Sequence, residues 1–223
     1  MEGFRLDTVI FDMDGLLIDS EPLWEEAGVE LLARYGCKLT NEQYLSSTGL
    51  RTREWLEHWF KFFDLEMDTL QRAESRIIDG VSEKIKQRGS AMAGTHYIFD
   101  YFRKKGFKIG VATSSPMSLA DLVLNQIQVM TLVDAVTSAE HLPYGKPHPQ
   151  VYLNCAAALG SDAAHTLCFE DSVNGMISAK AAKMKCVVVP GKHQQQIPQW
   201  GLADLRISSL QNFNDLLLHQ LHN

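Results

Sequence analysis

The string Thr8-Val9-Ile10-Phe11-Asp12-Met13-Asp14-Gly15 decides the fold of this chain. Four β-branched or apolar residues run directly into two aspartates and a glycine, which predicts a short buried strand ending on charge. Working outward, runs of the same kind occur at Lys108 to Ala112, Ala135 to Thr137, Thr166 to Phe169 and Cys186 to Val189. Between the second and the fifth run the apolar residues change to helical spacing, as in Leu119, Leu122, Val123 and Ile127, or Val151, Tyr152, Cys155, Ala156 and Leu159. Strands alternating with helices imply right-handed crossovers and a doubly wound, mainly parallel sheet of the α/β class, covered on both faces.

The interval after the first strand breaks this rhythm. From about Pro22 to about Arg88 no strand pattern is found, but amphipathic helical patterns recur: Leu23, Ala27, Leu31 and Tyr35 closed by Gly36; Trp55, Trp59 and Phe63; Ile77, Val81 and Ile85;. A small all-helical insertion therefore interrupts the sheet. Residues 1–16 and 93–223 are expected to form the core and residues 17–92 the helical cap. The junctions fall at Leu16 to Ser20 and at Gly89 to Gly94, where small residues allow a hinge.

Composition narrows the partners. The chain has 223 residues, 45% hydrophobic and 22% charged, enough for a real core;. Lys plus Arg is 21 against 27 for Asp plus Glu, a net charge of −6, and no basic run exceeds Arg103-Lys104-Lys105. Nucleic acid and anionic membrane both need clustered cations, so neither is an expected partner. No apolar stretch approaches the roughly 18 residues that span a bilayer, and the N-terminus lacks signal-peptide architecture, so the expected location is cytoplasmic. The four cysteines show no CxxC or other ligand spacing and are expected to be reduced;. A monomer is the default expectation.

Chemistry-bearing residues sit just past the carboxyl ends of four strands. Asp12 and Asp14 follow the first; Thr113, Ser114 and Ser115 the second; Lys146, within Gly145-Lys146-Pro147, lies in the loop after the third; Glu170 and Asp171 follow the fourth. Open parallel sheets place their ligands there. Asp12, Asp14, Glu170 and Asp171 would repel one another unless a hard cation sat among them, which suits Mg²⁺. A Lys ammonium, hydroxyls and backbone N–H groups suit a phosphoryl dianion. No Cys or Ser stands beside a base, so the natural nucleophile is Asp12, giving an aspartyl phosphate, with Asp14 as general acid and then base.

Taken together, Phe11 to Gly15, Thr113, Gly145-Lys146-Pro147 and Glu170-Asp171-Ser172-x-x-Gly175 resemble, in order, the four motifs of the haloacid dehalogenase superfamily of aspartate-nucleophile phosphotransferases. The string Asp14 to Trp24 and the helical insertion resemble the branch with a small helical cap, which holds bacterial sugar and hexitol phosphatases and β-phosphoglucomutase. The resemblance implies a Rossmann-like core and Asp12 as nucleophile and Mg²⁺ ligand. It implies Asp14 as acid/base and as ligand through its carbonyl, with Asp171 and Glu170 on the metal. Thr113 and the Ser114 amide would hold the phosphate, Lys146 would neutralise it, and the insertion would close as a lid. The expected activity is Mg²⁺-dependent hydrolysis of a small sugar or sugar-alcohol phosphate, such as a hexose, 2-deoxyhexose or hexitol phosphate.

The alternatives use the same residues differently. A β-phosphoglucomutase-type phosphohexomutase would protect the aspartyl phosphate from water; that family carries a histidine about where this chain has Trp24, which favours hydrolysis here. A signalling receiver is about half this length and has no insertion, and the complete motif set counts against an inactive binding relative. Within the cap, Glu21, one loop beyond the first motif, and Arg51, in the turn Thr48-Gly49-Leu50-Arg51, are expected on the substrate side. The aromatic residues at helical spacing read as core. Ser115 and Pro116 read as the cap and start of the next helix.

Overall fold

The computed structural model describes residues 6–47, 50–191 and 194–222. Among them six strands form one all-parallel sheet in the order β3-β2-β1-β4-β5-β6. These are β1 (Thr8–Phe11), β2 (Lys108–Thr113), β3 (Ala135–Ser138), β4 (Thr166–Glu170), β5 (Lys185–Val188) and β6 (Leu205–Arg206). The doubly wound α/β sheet expected from the sequence is present. β1 lies inside it, with Phe11 level with Val111 of β2 and Phe169 of β4. Strands β2 and β4 run one residue past their apolar patterns, so Thr113 and Glu170 are the last residues of strands and not the first of loops. The two-residue β6 was not expected, because two residues carry no period;.

Side chains alternate across the sheet. Val9 and Phe11 enter one core with helices α5 (Thr95–Lys104), α6 (Met117–Gln126) and α9 (Asp215–His222). Ile10 enters the other with α7 (Gln150–Ala158) and α8 (Val173–Ala181), where Met176 and Met184 are also buried. The first core is strongly aromatic: Phe11 stacks on Phe99 at 5.1 Å between ring centroids and meets Phe169 at 5.2 Å;. All four cysteines are free, and Cys155, Cys168 and Cys186 are buried.

The stretch between β1 and α5 is helical: α1 (Glu21–Ala33), α2 (Asn41–Ser46), α3 (Thr52–Phe62) and α4 (Leu70–Arg88). Leu70, Ala73, Ile77, Val81 and Ile85 make the buried stripe of α4, which packs on α1 and α3;. Trp55, Trp59 and Phe60 are buried in α3, in line with a core reading. Helix α2 was not expected; at six residues it is too short for periodicity, and its only signal is the capping box of Thr40 and Gln43;.

The chain leaves and re-enters the sheet by two segments running side by side. Ile18 bridges Ala91 antiparallel, the Asp19 amide donates to the Ser90 carbonyl at 3.0 Å, and the Met92 amide donates to the Leu17 carbonyl at 2.9 Å. Gly94 closes the return with φ +94°, and a side chain there would meet the Gln211 amide nitrogen at 2.5 Å;. Among the described residues no helix is long and apolar enough to cross a membrane.

Candidate active site

Because β1 sits between β2 and β4, the carboxyl ends of three strands and the loop after β3 converge on one cavity of about 600 Å³. Asp12, Asp14, Thr113, Ser114, Lys146 and Asp171 line it from the sheet. Glu21, Trp24, Tyr44, Leu50, Trp55 and Ile77 line it from the helical insertion.

At its floor lies a buried charge cluster. The Lys146 ammonium, 3% exposed, donates to Asp12 Oδ1 at 2.5 Å, Glu170 Oε1 at 2.7 Å and the Ala112 carbonyl at 3.2 Å. It also stands over the Tyr152 ring, 4.8 Å from the centroid;. Burial works against the lysine's charge, but Asp12 and Glu170 outweigh it and raise its pKa. Burial pushes the Asp12 carboxyl up to about 8, even though Lys146 pulls the other way. Asp171 is raised well above the carboxylate range by burial and by the charges of Glu170, Asp12 and Glu21. Three carboxylates against one ammonium is an excess of negative charge that these two acids can relieve only by holding protons or a cation.

Glu170 has a task beside the metal ligation expected of it. Its Oε1 accepts from Lys146 and from the Tyr152 hydroxyl at 2.6 Å. Its Oε2 accepts from the Asp171 and Ser172 amides and the Ser172 hydroxyl, each at 3.0 Å. Against burial, Lys146 holds this carboxyl below its ordinary value. Glu170 is thereby the fixed anion that seats Lys146. The glycine three residues after Ser172 follows from this: a Cβ on Gly175 would stand 1.7 Å from Glu170 Oε1.

Asp14 is held by three donors. Ser20 Oγ at 2.7 Å and Trp24 Nε1 at 3.0 Å donate to its Oδ1, and Ser115 Oγ donates to its Oδ2 at 2.7 Å. Ser115 was expected to cap α6; its hydroxyl instead points back to Asp14, and the Ser115 carbonyl is fixed by Ser138 Oγ at 2.6 Å. Gly15, at φ +77°, lies so close to Asp171 that a Cβ would meet its Oδ2 at 2.2 Å. Thr113 is buried, and its Oγ1 accepts the Ser115 amide at 3.0 Å, which leaves the hydroxyl hydrogen available to an anion;. Ser114 Oγ is buried with no partner among the described residues.

Of the two insertion residues expected on the substrate side, Glu21 lines the cavity, and burial followed by the charge of Asp14 pushes its carboxyl up to about 7. Arg51 does not. Its guanidinium turns away onto backbone carbonyls of the loop after β3, as detailed below. Thr48 and Gly49 of that expected turn lie outside the described residues. Trp24, Ser115 and Tyr152 were read as core or capping residues, and Ser172 only as part of the fourth motif; a polar tip on an otherwise apolar helix face was the one available signal for Trp24 and Tyr152.

Asp12, Glu170 and Asp171 each bring one carboxylate oxygen within 4.8 Å of the others. Oxygen-only donors beside protonatable acids fit a hard divalent cation.

A family model described as haloacid dehalogenase-like hydrolase matches residues 9–189. The chain belongs to the haloacid dehalogenase-like hydrolases. Within that family it is 40% identical to hexitol phosphatase B of Escherichia coli over 90% of this chain and 91% of that one. It is 28% identical to a phosphorylated carbohydrates phosphatase of Thermotoga maritima over 79% and 82% of the two chains. Its fold matches a β-phosphoglucomutase from Clostridium difficile with a TM-score of 0.88 over 98% of both chains, at 19% identity.

Proposed function

We propose that this hydrolase is a Mg²⁺-dependent phosphatase that releases phosphate from a small phosphorylated sugar or sugar alcohol through an aspartyl-phosphate intermediate. The observation that carries the reading is the buried Asp12–Lys146–Glu170 cluster at the floor of a cavity whose opposite wall is mostly apolar. A lysine locked between two carboxylates neutralises the approach of a phosphoryl dianion to an anionic nucleophile.

Asp12 Oδ attacks phosphorus; the bond from phosphorus to the sugar oxygen breaks, and that oxygen takes a proton from Asp14. Water then attacks phosphorus and gives a proton to the Asp14 carboxylate. The Asp12–phosphorus bond breaks, releasing inorganic phosphate and restoring both acids. The indole N–H of Trp24 can only donate to Oδ1, whereas the Ser115 hydroxyl can donate to Oδ2 or accept from it, so Oδ2 is the oxygen suited to passing a proton;. Thr113 and Ser114 hold the phosphoryl oxygens. Asp12, Asp171 and the Asp14 carbonyl would hold Mg²⁺, which when bound offsets the charge gathered between nucleophile and phosphate.

The identity to hexitol phosphatase B and to the phosphorylated carbohydrates phosphatase supports a polyhydroxylated leaving group. Among the described residues, the insertion side of the cavity offers aromatic rings and Glu21 but no Lys or Arg, which suits hydroxyls and not a second phosphate. The test is a phosphate-release screen over sugar phosphates, hexitol phosphates, nucleotides and phosphoglycolate, with Mg²⁺ present or chelated. Release from hexose or hexitol phosphates that chelation abolishes is the expected result. Isomerisation of β-glucose 1-phosphate, primed with a bisphosphate and without phosphate release, would contradict it.

A further inference from the structure

The N-terminus of α3 meets the core at the loop that carries Lys146. Arg51 Nη1 donates to the carbonyls of Leu142 at 2.5 Å and Ala139 at 3.2 Å, and Nη2 to that of Pro143 at 3.4 Å. Glu54, one turn further along α3, fixes the guanidinium from behind, with Oε1 2.6 Å from Nη2. The same Oε1 accepts the Gly145 amide at 3.4 Å, and Oε2 accepts the Arg51 amide at 3.2 Å.

The two sides are fitted closely. A Cβ on Gly145 would lie 2.8 Å from Arg51 Nε and 2.8 Å from Glu54 Oε2, so only glycine lets the loop approach the pair. Arg51 Nε is itself buried without an acceptor, pressed against that glycine. The arginine thus spends its fork on the loop at the expense of one of its own hydrogen bonds. The residue after Gly145 is Lys146, whose ammonium joins Asp12 to Glu170.

We infer that Arg51 and Glu54 form a latch through which docking of the helical insertion positions Lys146 in the phosphoryl site. These contacts run from one helix end to one loop, so moving the insertion away from the sheet breaks them together and loosens residues 142–145, while Ala139 and Glu140 stay tied to the core through the Thr113 carbonyl, Ser138 Oγ and the Met117 amide. Closing restores them and returns Lys146 to its seat. Arg51 and Glu54 are positioning residues; neither lines the cavity. The inference rests on the use of Lys146 proposed above, and its test is separable from that reading.

Wild type, Arg51→Ala, Glu54→Gln and Gly145→Ala are compared by kcat and KM with p-nitrophenyl phosphate and Mg²⁺, by amide hydrogen exchange of residues 139–149, and by Tm. Arg51→Ala is expected to speed exchange in that segment about 10-fold or more and to leave exchange in β1 unchanged. It is expected to lower kcat roughly 10- to 100-fold with KM within about 3-fold, the size of effect that small misplacement of a charged group produces. Glu54→Gln keeps an oxygen for the Gly145 amide and is expected to fall by less than Arg51→Ala. Gly145→Ala pries the loop off while keeping both side chains, so it serves if Arg51→Ala does not fold. Faster exchange with an unchanged kcat, or a lower kcat with unchanged exchange, overturns the latch. So does a uniform rise in exchange across the chain. If the wild type hydrolyses nothing, the proposed activity fails, while exchange in the segment still tests the mechanical link.

Discussion

The sheet side and the insertion side of the cavity are built on opposite plans. On the sheet side the charged groups are densely hydrogen-bonded: Glu170 accepts five hydrogen bonds, Asp14 three, and Lys146 donates three. On the insertion side the wall is mostly aromatic and aliphatic, with Asp19 and Glu21 as its acids among the described residues. A densely bonded network at low dielectric holds its charges in one geometry, which is what chemistry at phosphorus needs. A mostly apolar wall with a few scattered polar groups fixes little and fits many shapes. Reaction type belongs to the first wall and choice of leaving group to the second.

The comparison breaks most readily at the nucleophile. Asp12→Asn removes the attacking oxygen and one negative charge, and turnover is expected to drop roughly 10⁴-fold or more while circular dichroism and Tm stay near wild type. Phosphate release at an undiminished rate would place the chemistry elsewhere. Asp14→Asn is expected to cost about 10²–10⁴-fold with sugar phosphates, the usual range for a general acid–base. With p-nitrophenyl phosphate, whose leaving group needs little protonation, pre-steady-state phosphorylation of the protein should fall far less; equal losses on both substrates would rule out the acid role.

Changes on the insertion wall should behave differently. Glu21→Gln is expected to raise KM for a hexitol phosphate about 5-fold, on the order of 1 kcal/mol, through a weakened hydrogen bond to a hydroxyl. KM for p-nitrophenyl phosphate should move by less than about 2-fold. A matching rise on both substrates would assign Glu21 to the phosphate end and erase the division between the walls.

The smallest expected effect is on stability. Without metal, folded Asp12 keeps its proton up to about pH 8, and Asp171 is shifted the same way. The unfolded chain releases such protons near pH 3.9. A raised folded pKa contributes stability that is complete below the unfolded value and is lost as pH rises through the folded one. In chelator, Tm should therefore fall as pH rises toward about 8, where Asp12 loses the proton that relieves its repulsion with the neighbouring carboxylates. Mg²⁺ replaces those protons, so the gap in Tm between Mg²⁺ and chelator should widen by at least about 2 °C between pH 6 and 8. A gap that stays constant across that range would contradict the charge balance assigned to the floor.

The same division governs what could be read from sequence. The floor was legible because strand register delivers it: Asp12, Thr113, Lys146 and Glu170–Asp171 each follow an apolar run, and parallel pairing aligns those ends. What strand register does not encode stayed hidden. The partner of Arg51 is a set of carbonyls some 90 residues further along the chain, fixed only by how α3 docks. Ser115 looks like a helix cap until Ser138 is seen to turn its backbone, and Tyr152 looks like core because all but its hydroxyl is core. Glu170 read only as a metal ligand because charge alone does not reveal the lysine, tyrosine and amide donors that its two oxygens accept.

Acid-quenched turnover with peptide mass mapping shows whether Asp12 carries the phosphoryl group. Wild-type protein mixed with Mg²⁺ and p-nitrophenyl phosphate and quenched within the first turnovers should carry a phosphoryl group on Asp12, in the peptide that also contains Asp14. Borohydride should reduce that acyl phosphate to homoserine at position 12. A wild-type protein that turns over while Asp12 stays unmodified, or one labelled at another residue, would contradict the account.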